Sequence, residues 1–311
     1  MADVAELSLA ARAVRDCSGP FTLGTVQIGQ KYGLAQAQPD HEETMTLLDR
    51  AARSGIVWID TARAYGAAED RIGDWLAAGG KSFRIVTKIR PLAGGSDRVC
   101  ADDAKASLEE SLQKLRVSSV DICLVHRAAD LRRPGVADVL RAARSDARIG
   151  AFGASVYTTE ELEQVLAVDG VGAVQLPLSV VSGTVSDRAM ISDLVARGIT
   201  VFVRSVFLQG ALLMPPDRLP PHLIRLAPVI SELRALADTA KVSLPALLIA
   251  AVKSVKGVKS LVLGVESILQ LDELVAASSV GHIPSGLMEA AFDAGRNLPR
   301  EVTDPRLWPK T

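Results

Sequence analysis

Eight short apolar runs alternate with longer amphipathic stretches from one end of the chain to the other, and no other feature constrains the fold as strongly. The runs are FTLGTV (21–26), VWIDTA (57–62), RIVTKI (84–89), VDICLVH (120–126), IGAFGAS (149–155), AVQLPLS (173–179), ITVFVRSV (199–206) and SLVLGV (260–265). A strand that is apolar almost throughout needs cover on both faces, which a parallel sheet flanked by helices supplies. Eight such units in 311 residues predict an α/β fold, a single-domain (β/α)8 TIM barrel, in preference to an open doubly wound sheet.

The segments between the runs carry helix signals. Asp40 precedes HEETMTLLDRAARSG, Asp102 and Asp103 open ADDAKASLEESLQKL, and Thr159 precedes EEL, so a capping or acidic residue stands at each expected start. Gly55, Gly79 and Gly198 mark expected helix ends. No low-complexity linker divides the chain, so residues 1–311 read as one domain, with 1–19 as an N-terminal extension and 285–311 as a tail of no strong period. The one long irregular segment, LQGALLMPPDRLPPHLIR after the seventh strand, is proline-rich and reads as an ordered loop or lid on the working face.

Composition narrows the function. The formal net charge is −1 and no basic cluster interleaves with aromatics, which argues against a nucleic-acid or anionic-membrane partner. The apolar stretches are shorter than a bilayer requires, and MADVAELSLAARAV lacks the apolar centre of a secretion signal. Cys17, Cys100 and Cys123 are widely spaced with no C-x-x-C pair, so neither a zinc site nor a disulfide framework is expected, and a reduced cytoplasmic compartment fits best.

Catalytic groups in such a barrel come from the carboxyl ends of the strands and the loops that follow them. Four polar residues fall there on three successive strands: Asp60, with Tyr65 in its loop, Lys88 and His126. Each alone has an ordinary reading, as a turn or cap aspartate, a packed loop tyrosine, an exposed lysine and a structural histidine. Neighbouring strands lie about 5 Å apart, so together the four converge on one rim of the mouth. The glycine-rich GTVQIGQKYG (24–33) is not a P-loop, because Gln30 precedes Lys31 and Tyr32 follows it, and no G-x-G-x-x-G is present.

These residues carry a resemblance. Through GTVQIGQKYG, DTARAYG, IVTKI, LVHR, GAS, VQLPLS, VRSVFLQG and LGVESILQLDEL, nearly the whole chain resembles the aldo-keto reductase superfamily, and the closing DPRLW is similar to the ending of a bacterial branch. The resemblance implies an NAD(P)-dependent oxidoreductase, of aldo-keto reductase or aldose dehydrogenase type, with NADP(H) or NAD(H) extended across the barrel mouth. It implies the tetrad Asp60, Tyr65, Lys88 and His126. Tyr65 would exchange a proton with the carbonyl or alcohol oxygen, and His126 would hold that oxygen. Lys88, kept charged by Asp60, would favour the phenolate; bringing a phenol of pKa near 10 to pH 7 takes about 4 kcal/mol.

The resemblance also carries over cofactor positions: Gly24 and Thr25 at the first strand end, Ser155 and Gln175 at the nicotinamide carboxamide, and Arg204 where many relatives stack a tyrosine. Ser205, Leu208, Gln209 and Gly210 would line the pyrophosphate loop, and Gly264, Glu266, Ser267 and Gln270 the adenosine end. Val156 replaces the usual asparagine beside Ser155, and Leu274 stands at another asparagine position. Glu266 would repel a 2′-phosphate and accept from a free ribose hydroxyl, whereas Lys256 and Lys259 would favour the phosphate, so NAD(H) and NADP(H) both stay open. With aromatics at 4%, Tyr32, Trp58, Tyr157, Phe207 and Trp308 are the rings available near the mouth, Trp58 reading as core, and a small polar substrate such as a sugar or sugar-derived aldehyde is preferred. Alternatives on the same barrel are a non-catalytic nucleotide sensor or partner subunit, and a lyase or isomerase reusing the acid–base pair.

Overall fold

The computed structural model describes residues 19–34, 37–80, 83–94, 97–182 and 185–309. Cys17 and residues 1–18 of the expected extension lie outside the described residues. Eight parallel strands close in sequence order into a barrel: β1 (Thr22–Gly24), β2 (Trp58–Asp60), β3 (Arg84–Ile89), β4 (Val120–Val125), β5 (Ile149–Ser155), β6 (Ala173–Pro177), β7 (Thr200–Arg204) and β8 (Val258–Gly264). Closure between β1 and β8 sets Gly24 opposite Gly264. β8 starts two residues ahead of its apolar run, and its register against β7 is irregular at Val201/Phe202.

Strand alternation divides the core in two. Inward residues Trp58, Val86, Ile122, Leu124, Ala151, Ala173 and Phe202 fill the barrel, with the Trp58 and Phe202 rings edge to face at 5.6 Å. Outward residues such as Leu23, Ile59, Ile85, Cys123 and Val174 pack under the helices. The same alternation lifts Asp60 and Lys88, two residues beyond Trp58 and Val86, to the inner face at the mouth.

Several helix boundaries differ from the expectation. Asp40 caps His41–Arg53 in a complete capping box, its carboxylate accepting from the Glu43 N–H. The next long helix begins at Asp97, so Asp102 and Asp103 lie inside it, and Asp103 pairs with Arg90 across the loop. Thr158, rather than Thr159, caps Thr159–Leu166 by accepting from the Glu161 N–H. The tail holds a helix, Ser285–Ala294, anchored by Ala291 and Phe292, whose few apolar contacts leave little period to read. The proline-rich segment after β7 is ordered as three short 3-10 turns leading into helix Leu226–Ala240. Among the described residues no single helix is long and apolar enough to cross a membrane.

Trp58→Ala should empty much of the inner layer and cost about 3–5 kcal/mol of stability. Urea unfolding followed by circular dichroism checks this, with Trp58→Phe expected to recover most of the loss.

Candidate active site

The structure brings Asp60, Tyr65, Lys88 and His126 together. Lys88 and Asp60 are almost wholly buried, and Lys88 Nζ donates to Asp60 Oδ2 at 2.6 Å. Two further contacts complete the ammonium's three donors: the Thr61 carbonyl at 3.0 Å and the Tyr65 hydroxyl at 3.4 Å. Gln175 reaches across the barrel from β6 and donates from Nε2 to Asp60 Oδ1 at 2.6 Å. Both carboxylate oxygens and all three ammonium protons therefore have partners, which such a buried pair needs to offset its desolvation.

The loop that carries Tyr65 is held by close backbone packing. A Cβ built on Gly29 would lie 1.7 Å from the Tyr65 carbonyl oxygen, and one built on Gly66 would lie 2.4 Å from the Gly29 oxygen. Only glycines allow the turn Val26–Gly29 to sit this close. Thr25, fully buried, secures the base of the loop by donating its N–H and hydroxyl to the Asp60 carbonyl at 3.0 and 2.9 Å. Its side chain thus supports Asp60 through the backbone.

The electrostatics differ from the expectation for Tyr65. Burial raises its pKa well above the ordinary phenol value, and the Asp60 charge raises it further, with Arg204 opposing. Burial is the main cause, because it penalises the phenolate whatever the neighbouring charges do. Lys88 itself is pushed down by burial, with Asp60 opposing. The His126 imidazole is pushed down to about 4 by burial and by the cations Lys88, Arg204 and Arg127, so it is neutral at pH 7. It meets Tyr65 edge to face at 5.7 Å, and its buried Nδ1 has no hydrogen-bond partner among the described residues.

Beside the tetrad, a cavity of about 470 Å³ opens over the ends of β5 to β7. Tyr32, Val156, Tyr157, Arg204, Leu208 and Gln209 line it, and Arg300 and residues 303–306 of the tail form its outer wall. The guanidinium carbons of Arg204 and Arg306 both lie 4.0 Å from the Tyr157 ring centre. Two guanidiniums at that height would overlap on one face, so the ring is clamped between them. Asp304 holds Arg306 through two hydrogen bonds, at 2.9 and 2.7 Å. Arg204 donates to the Val156 carbonyl at 3.2 Å and the Ser205 hydroxyl at 3.4 Å, and has no carboxylate partner among the described residues. Arg306 and Asp304 were hidden in the sequence because nothing local shows that the tail returns to β5; only the similarity of DPRLW to a family ending marked them.

The remaining expected positions fall around the same mouth. Ser155 stands opposite Gln175 in register, at the ends of β5 and β6. Ser205, Leu208 and Gln209 are three of the six non-glycine residues with left-handed φ among the described residues, and Gly210 follows at φ 92°. Such backbone costs of order 1–3 kcal/mol per residue and gathers where a ligand or loop demands it. Gly24 and Gly264 face each other across the β1–β8 seam, and a Cβ on Gly264 would meet the end of the Gln27 side chain at 2.4 Å, so Gln27 would have to swing aside. Ser267 caps helix Ile268–Ser278 by accepting from the Gln270 N–H, while Gln270 Oε1 accepts from the Glu266 N–H at 2.8 Å. Leu274 is buried in the core.

Lys256 and Lys259 do not lie near Glu266. Lys256 precedes β8 and Lys259 is its second residue, so five strand steps, roughly 17 Å of rise, separate Lys259 from Gly264 at the mouth end, and Glu266 lies beyond that. Of the aromatics, Tyr32 and Tyr157 line the cavity, Trp58 is inside the barrel, Phe207 packs on the core, and Trp308 meets His222 edge to face at 5.7 Å. Among the described residues no group of three or more His, Cys, Asp or Glu side chains could hold a metal ion.

The depressed His126 pKa sets a pH dependence. Well above pH 6.5 the imidazole is neutral whether the chain is folded or not; as the pH falls through 6.5 the unfolded chain takes up a proton that the folded one resists down to about pH 4. Stability should therefore fall between pH 6.5 and 4, by up to about 3 kcal/mol from this group. Urea midpoints across that range should fall more steeply for the wild type than for His126→Gln.

The family model for the Aldo/keto reductase family matches residues 20–290. An aldo-keto reductase, str7, of Strobilurus tenacellus is 25% identical over 221 residues, 66% of this chain and 62% of its own. An NADP(+) aryl-alcohol dehydrogenase of Phanerodontia chrysosporium is 31% identical over 130 residues, 34% of this chain and 32% of its own. The aldo-keto reductase ausK of Emericella nidulans is 32% identical over 121 residues, 34% of this chain and only 30% of its own length. Among solved structures, a putative aldo-keto reductase from Pseudomonas aeruginosa is 25% identical at TM-score 0.63, covering 84% of this chain and 90% of its own. The glycerol dehydrogenase of Gluconobacter oxydans shares the fold at TM-score 0.72 and 20% identity, covering 96% and 98%. With residues 20–290 inside the family match and the closed eight-stranded barrel around the site, the chain belongs to the aldo/keto reductase family.

Proposed function

We propose that the protein is an NAD(P)-dependent oxidoreductase that interconverts a carbonyl and an alcohol, with Tyr65 as the proton-exchanging group. The observation that carries this reading is the Tyr65 hydroxyl set 3.4 Å from the fully partnered Lys88 ammonium and beside a neutral His126. A nicotinamide dinucleotide, when bound, would supply or take the hydride. The strained turn at Ser205, Leu208 and Gln209 and the adjoining cavity fit such a ligand at the mouth, and Ser155, Gln175, Arg204 and Gly210 would help hold it.

The tetrad then divides the work. Tyr65, protonated well into the alkaline range, gives its proton to the oxygen as carbonyl becomes alcohol. Lys88 replaces part of the lost hydrogen bonding through its contact with the phenol oxygen, and Asp60 keeps that ammonium in place. His126, neutral, offers an uncharged N–H to the carbonyl oxygen, so it orients the substrate without competing as a proton donor. For the substrate we keep a small polar aldehyde or sugar, since the chain has few aromatic rings to wall a pocket for a polycyclic ketone.

For the nucleotide, NAD(H) is the reading we favour. Glu266 lies at the mouth end of β8, and burial raises its carboxyl with only Gln270 opposing. The two lysines that would attract a 2′-phosphate are at the far end of the strand. Fluorescence titration should show NADH binding at least about fivefold tighter than NADPH, with Glu266→Gln narrowing the gap; the reverse preference in the wild type would overturn this assignment.

Two kinetic outcomes test the chemistry. Tyr65→Phe should lower kcat on a panel of aldehydes and sugars by about 10² to 10⁴ while nucleotide binding persists. Because the phenol pKa is raised, reductive kcat should stay level from pH 6 to 9, and alcohol oxidation should climb toward alkaline pH. Tight nucleotide binding without turnover on any carbonyl or alcohol would point to a sensor instead.

A further inference from the structure

We infer that Glu69 is a positioning residue for Tyr65: buried behind β3, it clips the loop bearing Tyr65 to the strand bearing Lys88. This rests on the reading of Tyr65 and Lys88 given above and extends it to a residue outside the tetrad.

Glu69 is fully buried, at the start of helix Ala68–Ala77. One carboxylate oxygen accepts from the Thr87 hydroxyl at 2.6 Å, and the other from Arg63 at 2.5 Å. Thr87 immediately precedes Lys88 on β3 and points outward, so the carboxylate grips the outer side of the strand whose inner side presents the ammonium. Arg63 lies two residues before Tyr65, and its own N–H donates to the Lys88 carbonyl at 3.1 Å. Residues 63 and 69 are thus drawn together across the loop that carries Tyr65, and both ends are fastened to β3 next to Lys88.

A purely structural carboxylate has little reason to occupy this place. Apolar residues in place of the whole set, Glu69, Arg63 and Thr87 together, would pack under the helices without the desolvation cost of a buried ion pair, and such replacements are often neutral or stabilising. What the ion pair adds is direction: three hydrogen bonds fix where the loop stands relative to the strand. The contact it governs is the 3.4 Å separation of Tyr65 and Lys88, which is long for a hydrogen bond and so sensitive to small shifts of the loop. Arg63 also faces Glu110 at 3.8 Å, near the surface, a weaker tie that would not replace Glu69.

The test uses the full chain and a readout independent of turnover. The protein has only three tyrosines, Tyr32, Tyr65 and Tyr157, so labelling with tyrosine carrying ¹³C at Cζ gives three resonances, and Tyr65→Phe assigns one. Glu69→Gln keeps the shape and an acceptor for Thr87 but sets an amide N–H against the Arg63 guanidinium, or the converse if flipped. Arg63→Met removes the other end of the clip. Both should move or broaden the Tyr65 resonance, leave those of Tyr32 and Tyr157 in place, lower kcat about 10- to 50-fold, and change the nucleotide Kd less than twofold. The double variant should be no worse than the poorer single one, as expected of two residues acting through one contact. If either variant fails to fold, Thr87→Val together with the other carries the same comparison. An unmoved Tyr65 resonance in folded variants would overturn the inference even if their melting temperatures fall. A moved resonance in a protein whose wild type turns over no carbonyl would uphold the clip and overturn the proposed reaction.

Discussion

The buried ion pair of Lys88 and Asp60 is the contact on which the mouth of the barrel is organised. An ammonium taken out of water inside a barrel is tolerable only with a charge partner and a full set of acceptors: Lys88 on β3 donates to Asp60 of β2 and to the Thr61 carbonyl and Tyr65 hydroxyl of the loop that follows, while Gln175 of β6 donates to the other Asp60 oxygen. The pair therefore ties four separate segments to one point. Removing either partner would leave a buried charge uncompensated, at a cost of about 3–5 kcal/mol, so the site cannot be loosened without loosening the barrel's upper layer. Thr25 extends the same bracing to β1 by holding the Asp60 carbonyl.

The neutralised pair also explains the proton inventory. A lone ammonium would stabilise the Tyr65 phenolate, but one locked 2.6 Å from a carboxylate presents little net charge, and the burial that encloses the pair penalises the phenolate as well. Tyr65 remains an acid. His126, pressed by the cations around it, remains neutral. A phenol and a neutral imidazole side by side are the protonation state that the proposed reaction requires.

Much of this was legible in the sequence, and the reasons differ by residue. The barrel followed from eight apolar runs separated by helix-like stretches, because strands buried on both faces leave that signature; Asp60, Lys88 and His126 followed from their places at strand ends. Thr159 was one residue off as a cap because two threonines adjoin, and the sequence does not say which hydroxyl meets the free N–H. Lys256 and Lys259 were misplaced because closeness along a strand is not closeness in space: seven extended residues separate the two ends of the barrel. The direction of the Tyr65 shift was illegible for another reason. It depends on how completely Asp60 cancels Lys88, a matter of two distances and of burial, neither written in residue identity.

The tail shows the same limit from the other side. Asp304 and Arg306 read as an unremarkable polar pair, yet they reach the mouth and, with Arg204, clamp Tyr157. The clamp has unequal halves. Arg306 is neutralised by Asp304, so its hold on the ring is mainly stacking and adds little field at the site. Arg204 has no carboxylate partner among the described residues, and its charge reaches Tyr65, Lys88 and His126 at once. The strand end thus provides the field and the tail provides the cover. A change in the tail should alter what fits the cavity while leaving the proton chemistry of the tetrad largely as it is, whereas a change at Arg204 should disturb both. That separation follows from where the counter-charge sits, on Arg306 and not on Arg204.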